Sequence, residues 1–353
     1  MPEAAHVQLG WDVGGAHVKG CMLQAGAPRD IAQWPCPLWQ GMVHLEAALA
    51  LARSRWPAAW DAGAHHAATM TGELADLFAD REEGVVRIAD TLAQSLGPSL
   101  RLFDAEGGWR AAHEARPHWR AVASANWCAT ARVLAERVHD GALVDIGSTT
   151  TDIVPLRAGR VQARGNTDAE RLATGELVYH GVVRTPLCAL APAVHWRGRN
   201  VHVMNEFFAT TADVYRLTGE LAPEHDQAAT ADGRGKDAHA TRQRLARMIG
   251  CDDADGSPRE WLALARGWRQ AQVRAIATQL ARVCDDAALP DDAPIVGAGC
   301  GAFLAEELAS RTGRPFVRYA AVALPAVWDT SLAAWADVCA PAVSVALLAS
   351  QQG

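Results

Sequence analysis

Leu143–Val154 reads LVDIGSTTTDIV: an apolar β run ending in an acid and a glycine, a tight turn of small hydroxyl residues, then a second apolar run. That is the pattern of a β-hairpin whose tip holds a phosphate. Backbone N–H groups and hydroxyls at Gly147, Ser148, Thr149 and Thr150 can converge on an anion, and Asp145 can hold a metal ion bridging phosphate oxygens. The plain alternative is that the hydroxyls cap their own backbone. A second copy of the pattern tips the balance: Gly10–Leu23 reads GWDVGGAHVKGCML, with Asp12 at the strand end, Gly14, Gly15 and Ala16 in the turn, and Lys19 on the returning strand. Glycine lets the backbone approach an anion closely, and Lys19 adds a point charge. Two such hairpins predict two similar half-molecules facing each other across a phosphate-binding cleft.

The 353 residues suit two domains of ordinary size. The composition is that of a water-soluble globular protein, with 50% apolar and 21% charged residues. A net charge of −7 argues against nucleic acid as a partner, which would want a basic face. The eight cysteines are scattered without a CxxC pair, so neither a zinc site nor a disulfide framework is expected. The opening MPEAAHVQLGWDVGG has no basic stretch leading into an apolar one, so a signal peptide is not expected. No uncharged apolar run reaches the ~18 residues that span a bilayer. The expectation is a cytoplasmic protein with reduced thiols and no membrane partner.

Taken in order, residues 7–24 form the first hairpin, 31–39 a third strand, and 42–56 a helix presenting Val43, Ala47, Ala50, Leu51 and Trp56 on one face. His65–Met70 is a short strand running into a helix capped by Thr71. Strand Leu100–Asp104 and one helix over Trp119–His139 complete a first domain, 1–139. At Gly141 the order of elements restarts, an internal repeat of pattern more than of identity. The second domain, 140–353, carries a helical insertion at about 205–290. Within it, 220–239 is polar without periodicity, a solvated loop or a substrate lid, and Ser257 or Pro258 opens a helix to Asp286 along a Trp261, Leu264, Trp268, Val273, Ile276, Leu280, Val283 stripe. Trp328–Ser350 reads as one apolar helix that can pack back on the first domain.

Three further features are candidates. Gly297-Ala-Gly299-Cys-Gly301 stands at a strand-to-helix junction, where a glycine turn suits a phosphate or nucleotide, although neither GxGxxG nor GxxxxGK[ST] spacing is present. Polar residues beside apolar runs, Thr71, Glu73, Glu176, Asn205 and Glu206, include carboxylates that are candidate bases or metal ligands, with a helix cap or a satisfied structural acid as the plain reading of each. The 13 tryptophans sit mostly at core positions, and His65 and His66, being adjacent on a strand, point to opposite faces.

The order of hairpin, hairpin and glycine turn resembles the acetate/sugar kinase, Hsp70 and actin superfamily, at its phosphate-1, phosphate-2 and adenosine positions. The resemblance implies an α/β fold of two actin-like (ribonuclease H-like) domains. Within it, DVGGAHVK, TMTGELADLF, DIGSTTTDI, TGELVYHGVVRTPL and NEFFATTADVY are similar to the hydantoinase A/oxoprolinase-related proteins of the tetrahydromethanopterin-linked C1 pathway. Archaeal members are methanofuran-biosynthesis synthases. This implies a transferase joining an aminomethylfuran-methyl diphosphate to the phenol of γ-glutamyltyramine, with diphosphate released. Its partners would be those two small molecules, and a homodimer is compatible with it. On this reading Asp12 and Asp145 hold Mg²⁺. Gly14, Gly15, Ala16, Lys19, Gly147, Ser148, Thr149, Thr150, Gly297 and Gly299 hold phosphate. Glu206 is the first choice of base, ahead of Glu73 and Asp152. Ala16 stands where kinases place a hydroxyl, and no aromatic residue is evident beside the Cys300 turn, so ATP is compatible but not favoured. The alternatives are an ATP-dependent kinase or an amidohydrolase-like enzyme using the same groups, and a nucleotide-gated scaffold without turnover.

Overall fold

The computed structural model describes residues 7–60, 63–324 and 329–351. The first residues of the N-terminal stretch and Trp328 lie outside the described residues. Two compact units divide the chain, one built from 1–140, 156–170 and 318–353, the other from 141–155 and 171–317.

In the first unit, β1 (Val7–Val13), β2 (His17–Gln24), β3 (Ala27–Pro35), β4 (His65–Met70), β5 (Leu100–Phe103) and β6 (Trp109–Arg110) form one sheet in the order β3-β2-β1-β4-β5-β6. β1 runs antiparallel to β2 and parallel to β4. Alternation along β1 divides its side chains between two faces. Leu9, Trp11 and Val13 enter a core with Leu45, Leu49, Ile88 and Leu92. On the other face stand Gly10 and, at the strand end, Asp12. The C-terminal helix Ala340–Ser350 lies so close that a Cβ on Gly10 would meet the Ala342 carbonyl oxygen at 2.0 Å.

The second unit repeats the plan. β7 (Gly141–Ile146) and β8 (Thr151–Arg157) flank the threonine turn, and β10 (Leu177–Val178), β13 (Ile295–Ala298) and β14 (Phe316–Arg318) complete the order β10-β8-β7-β13-β14, while β9 (Arg160–Val161), in the stretch assigned to the first unit, pairs with the end of β8. β11 (Ala193–Trp196) and β12 (Arg199–His202) form a separate hairpin. In both sheets the hairpin strands lie to one side of the first strand and a parallel strand lies on its other side. This is the two-domain, actin-like α/β fold with mixed sheets flanked by helices. The helix Pro258–Asp286 begins where the sequence places it, with Ser257 accepting from Glu260 N, and it buries all seven residues of the expected stripe.

Four local expectations need correction. The stretch 119–139 is two helices, Trp119–Val122 and Asn126–Ala135, separated at Ser124, whose φ is +51°. The C-terminal helix is likewise two, Thr330–Val338 and Ala340–Ser350, bent by 97°. Cys339 separates them and Pro341 stands in the first turn of the second, where it fits because its N–H is not needed. No single described helix is long and apolar enough to cross a membrane. In Val43–Arg55 the buried face is Leu45, Ala48, Leu49 and Ala52, while Val43 and Leu51 are exposed. A helix apolar nearly all round does not declare its inner face by period. Thr71 makes no side-chain cap; the helix Arg81–Leu96 is capped by Asp80, which accepts from Glu83 N at 2.9 Å.

The polar segment 220–239 is tied down by charge. Arg216 makes two hydrogen bonds to Asp226, and the fully buried Arg244 binds Asp213, Asp232 and the Gly235 carbonyl. Burial raises the Asp213 carboxyl, and the two arginines oppose it.

Candidate functional site

In the first unit the register sets Asp12 between Lys19 on β2 and Thr69 on β4. Asp12 is 4% exposed and its carboxylate stands 3.9 Å from the Lys19 ammonium. The Thr69 hydroxyl beside it is buried without a hydrogen-bond partner among the described residues, so it is a donor and acceptor ready for a ligand or a metal-bound water. The turn closes through Gly14 N to the His17 carbonyl at 2.9 Å, while the N–H groups of Gly15 and Ala16 enter no hydrogen bond among the described residues. The turn 71–73 packs directly on it: Thr71 N donates to Val13 O, and a Cβ on Gly72 would stand 3.3 Å from the Gly14 carbonyl carbon. This brings Glu73 to the same end of the sheet. Glu73 is 1% exposed, and burial raises its carboxyl above the ordinary range against the opposing Ser124 hydrogen bond and Arg81 charge.

In the second unit the threonine turn has the donor surplus its sequence suggests. Gly147 N is used, to Thr150 O at 2.8 Å, but the N–H groups of Ser148, Thr149 and Thr150 enter no hydrogen bond among the described residues. The carbonyls of Gly147 and Ser148 are tied instead to the segment 181–184, accepting from Val182, Val183 and Arg184. Gly181 must be glycine there, because a Cβ would lie 2.3 Å from Thr149 N. Its carbonyl accepts from Thr211 and from the buried Gln272, both at 2.9 Å, and Gln272 accepts from Tyr215 at 2.7 Å. The long helix thereby fixes the segment that supports the turn.

Asp145, partly exposed, stands at the end of β7 opposite Ala298 of β13. The glycine turn reaches it: Gly299, at φ +81°, would place a Cβ 2.5 Å from Asp145 Oδ1. Gly297 lies inside β13, its missing side chain leaving room for the Phe316 ring. Asp152 is held by Arg171 at 2.7 Å, and Glu176 is buried and accepts from Thr174 at 3.0 Å. Glu206 is exposed in the loop between β12 and the helix Thr211–Thr218. The second unit thus gathers Asp145, Gly147–Thr150 and Gly299, and the first gathers Asp12, Gly14–Ala16, Lys19 and Glu73; Glu206 is exposed on its loop.

Several neighbours escaped the sequence reading. Arg184 is half-buried, and desolvation lowers its guanidinium below the usual arginine value. His180 is partly buried, which lowers its pKa and keeps the ring neutral, and its Nδ1 has no partner among the described residues. Ser124 donates to Glu73 at 2.8 Å. Histidine and arginine in TGELVYHGVVRTPL were visible as types, but only the Gly181 packing brings them beside the turn.

Among the described residues no three His, Cys, Asp or Glu side chains gather as a metal site. A cation that keeps its waters and binds one carboxylate plus substrate phosphates, as Mg²⁺ does, fits such single acids; a cage-bound metal does not. The unpartnered Thr69 hydroxyl beside Asp12 fits a metal-bound water in the same way.

The hydantoinase/oxoprolinase family model matches residues 65–338. The chain is 35% identical over 245 residues to a protein of Methanocaldococcus jannaschii named (4-{4-[2-(gamma-L-glutamylamino)ethyl]phenoxymethyl}furan-2-yl)methanamine synthase, covering 69% of this chain and 72% of that one. A Methanococcus vannielii protein of the same name is 36% identical over 111 residues, 31% of this chain and 49% of its own length. Among solved structures, nucleotide-free acetone carboxylase superposes over 96% of this chain and 70% of its own with a TM-score of 0.59 and 10% identity, a likeness of fold.

Proposed function

The chain belongs to the hydantoinase/oxoprolinase family, and from that premise we propose that it is a transferase of methanofuran-type cofactor synthesis. It joins an aminomethylfuran-methyl diphosphate to a tyramine-type phenol and releases diphosphate. The observation that carries the reading is the turn Ser148–Thr150 beside Asp145, whose backbone N–H groups enter no hydrogen bond among the described residues. Donors fixed before the reaction stabilise charge as it develops on a leaving group without reorganising.

In the second unit Ser148, Thr149 and Thr150 offer N–H groups and hydroxyls to phosphate oxygens, and Arg184, whose backbone N–H binds Ser148 O, is on the segment that supports the turn. Asp145 there, and Asp12 in the first unit, are the proposed Mg²⁺ ligands. When bound, the ion offsets the charge that collects on the departing diphosphate. Lys19 and the N–H groups of Gly15 and Ala16, unused among the described residues, have the same anion-holding chemistry. Glu73 is the preferred base for the phenol, because burial moves its carboxyl toward the pH at which it must exchange a proton. Asp152 is engaged by Arg171 and Glu206 is exposed on its loop, so neither is a buried carboxyl of this kind.

The test is diphosphate release when the furan-methyl diphosphate and a tyramine-type phenol are supplied together with Mg²⁺. The expected result is stoichiometric diphosphate and aryl ether without ATP. Turnover that requires and consumes ATP would overturn the reading in favour of a kinase or an amidohydrolase-like enzyme.

A further inference from the structure

Ser124 breaks what would otherwise be a continuous helix, and it does so in a left-handed conformation (φ +51°) that is uncommon for a residue with a side chain. In return its hydroxyl, 6% exposed, reaches two carboxyl groups: Glu73 Oε1 at 2.8 Å and Asp168 Oδ2 at 3.2 Å. A hydroxyl carries one proton and can donate to only one of them at a time, so one carboxyl must supply the proton of the other contact. Asp168, with a side chain 21% exposed, is ion-paired with Arg81. Glu73 is inside, and its Oε2 has no hydrogen-bond partner among the described residues. Arg81 and Asp168 are the charged side chains acting on it, from the start of the helix Arg81–Leu96 and from the start of the helix Asp168–Thr174.

We propose that Glu73, Ser124 and Asp168 form a proton path, from the buried carboxyl beside the first hairpin turn to a partly exposed, arginine-held carboxylate. The source of the proton, the acceptor phenol, rests on the transferase reading above. The phenol O–H gives its proton to Glu73 Oε2 while the proton on Oε1 passes to Ser124 Oγ and the serine proton passes to Asp168 Oδ2. Glu73 and Ser124 each gain and lose one proton. The phenol oxygen's electron pair forms the new C–O bond, and the diphosphate leaves with the pair of the bond that breaks. Glu73 is the catalytic residue of this scheme; Ser124 and Asp168 act through it.

The decisive variant is Ser124→Gly, which removes the hydroxyl and relieves the left-handed backbone, so its fold is retained. The first readout needs no turnover. Carbon NMR of glutamate-labelled protein, with Glu73→Gln to assign the signal, follows the Glu73 carboxyl against pH. A Glu73 midpoint above the other glutamates, displaced in Ser124→Gly as the contact with the hydroxyl is lost, supports the path. A midpoint among the ordinary glutamates, or one unmoved by Ser124→Gly, overturns it. The second readout is turnover. Ser124→Gly and Asp168→Asn are each expected to lower kcat about 10- to 100-fold, with KM within about twofold and the acidic limb of the pH profile displaced. Wild-type kcat and pH profile in both variants would overturn the path. A wild-type protein that releases no diphosphate from these substrates would count against the transferase reading alone, with the path then decided by the NMR titration.

Discussion

Gly299 shows how much a single position can settle. Its φ of +81° disfavours any side chain, and a Cβ there would lie 2.2 Å from Ile146 O as well as against Asp145. Gly299→Ala should therefore cost about 2–4 kcal/mol, adding left-handed strain to overpacking, as read by denaturant unfolding. It should also lower activity by displacing Asp145. His66 illustrates a quieter outcome: its Nδ1 accepts from Trp11 Nε1 at 3.1 Å, and burial lowers its pKa to about 4, so it is a neutral core residue. His65 on the other face is exposed, as strand alternation requires. Asp337 is a pH-sensitive position. Burial raises its carboxyl to about 6, although it accepts from Ala320 N and faces Arg318. The folded state thus holds this proton more tightly than the unfolded chain does. The associated stability is complete below the unfolded value and is lost as pH rises through about 6. Asp337→Asn keeps the acceptor for Ala320 N and should raise Tm above pH 6, with little change near pH 4. The gain has an upper bound of about 3 kcal/mol at 1.36 kcal/mol per pKa unit. A thermal-melt series across that range checks it.

At the scale of elements, the two hairpins were legible because their turns have the composition their geometry demands. The end of a strand, an acid and a run of glycines or hydroxyls can be recognised without partners. The helix 258–286 was equally plain, with a capping box, proline at its first position and one continuous apolar stripe. The break at Ser124 was not legible. Its alanine neighbours are good helix formers, and the partner of its hydroxyl, Glu73, is distant in sequence. The supporting segment 181–185 is similar, since its anchor Gln272 sits on the far-off long helix. Gln272→Leu should leave the Tyr215 hydroxyl without its acceptor and remove one donor from Gly181 O. The expected loss is about 1–3 kcal/mol of stability, together with weaker diphosphate binding. Calorimetry on the variant and wild type, with and without inorganic diphosphate, separates the two effects.

Over the whole molecule, each unit has its own core, and the chain returns at 318–353 to complete the first. On the proposed reading, Mg²⁺ is a partner of substrate more than of the fold, held by single acids such as Asp12 and Asp145. A chelator should therefore abolish turnover while leaving Tm within about 1 °C, and added Mg²⁺ should restore the rate. A large fall in Tm on chelation would contradict that division. The return of the C-terminal helix onto Gly10 makes Gly10→Val a test of the first unit's packing. The side chain has no room beside Ala342, and the overpacking should cost about 1–3 kcal/mol or more.

Local chemistry was enough to determine the repeated strand-turn-strand plan, the glycine positions in the turns, the capped long helix and the family to which the motifs point. These are set by residues close together in the chain, where spacing alone fixes what can meet. Tertiary structure alone decided which face of the helix 43–55 is buried, where two apparent helices break, and which acid sits in the dry interior. Glu73, Ser124, Asp168 and Arg81 come from three stretches that share no pattern. Their meaning comes from burial, which raises one carboxyl, and from a single hydroxyl that must serve two.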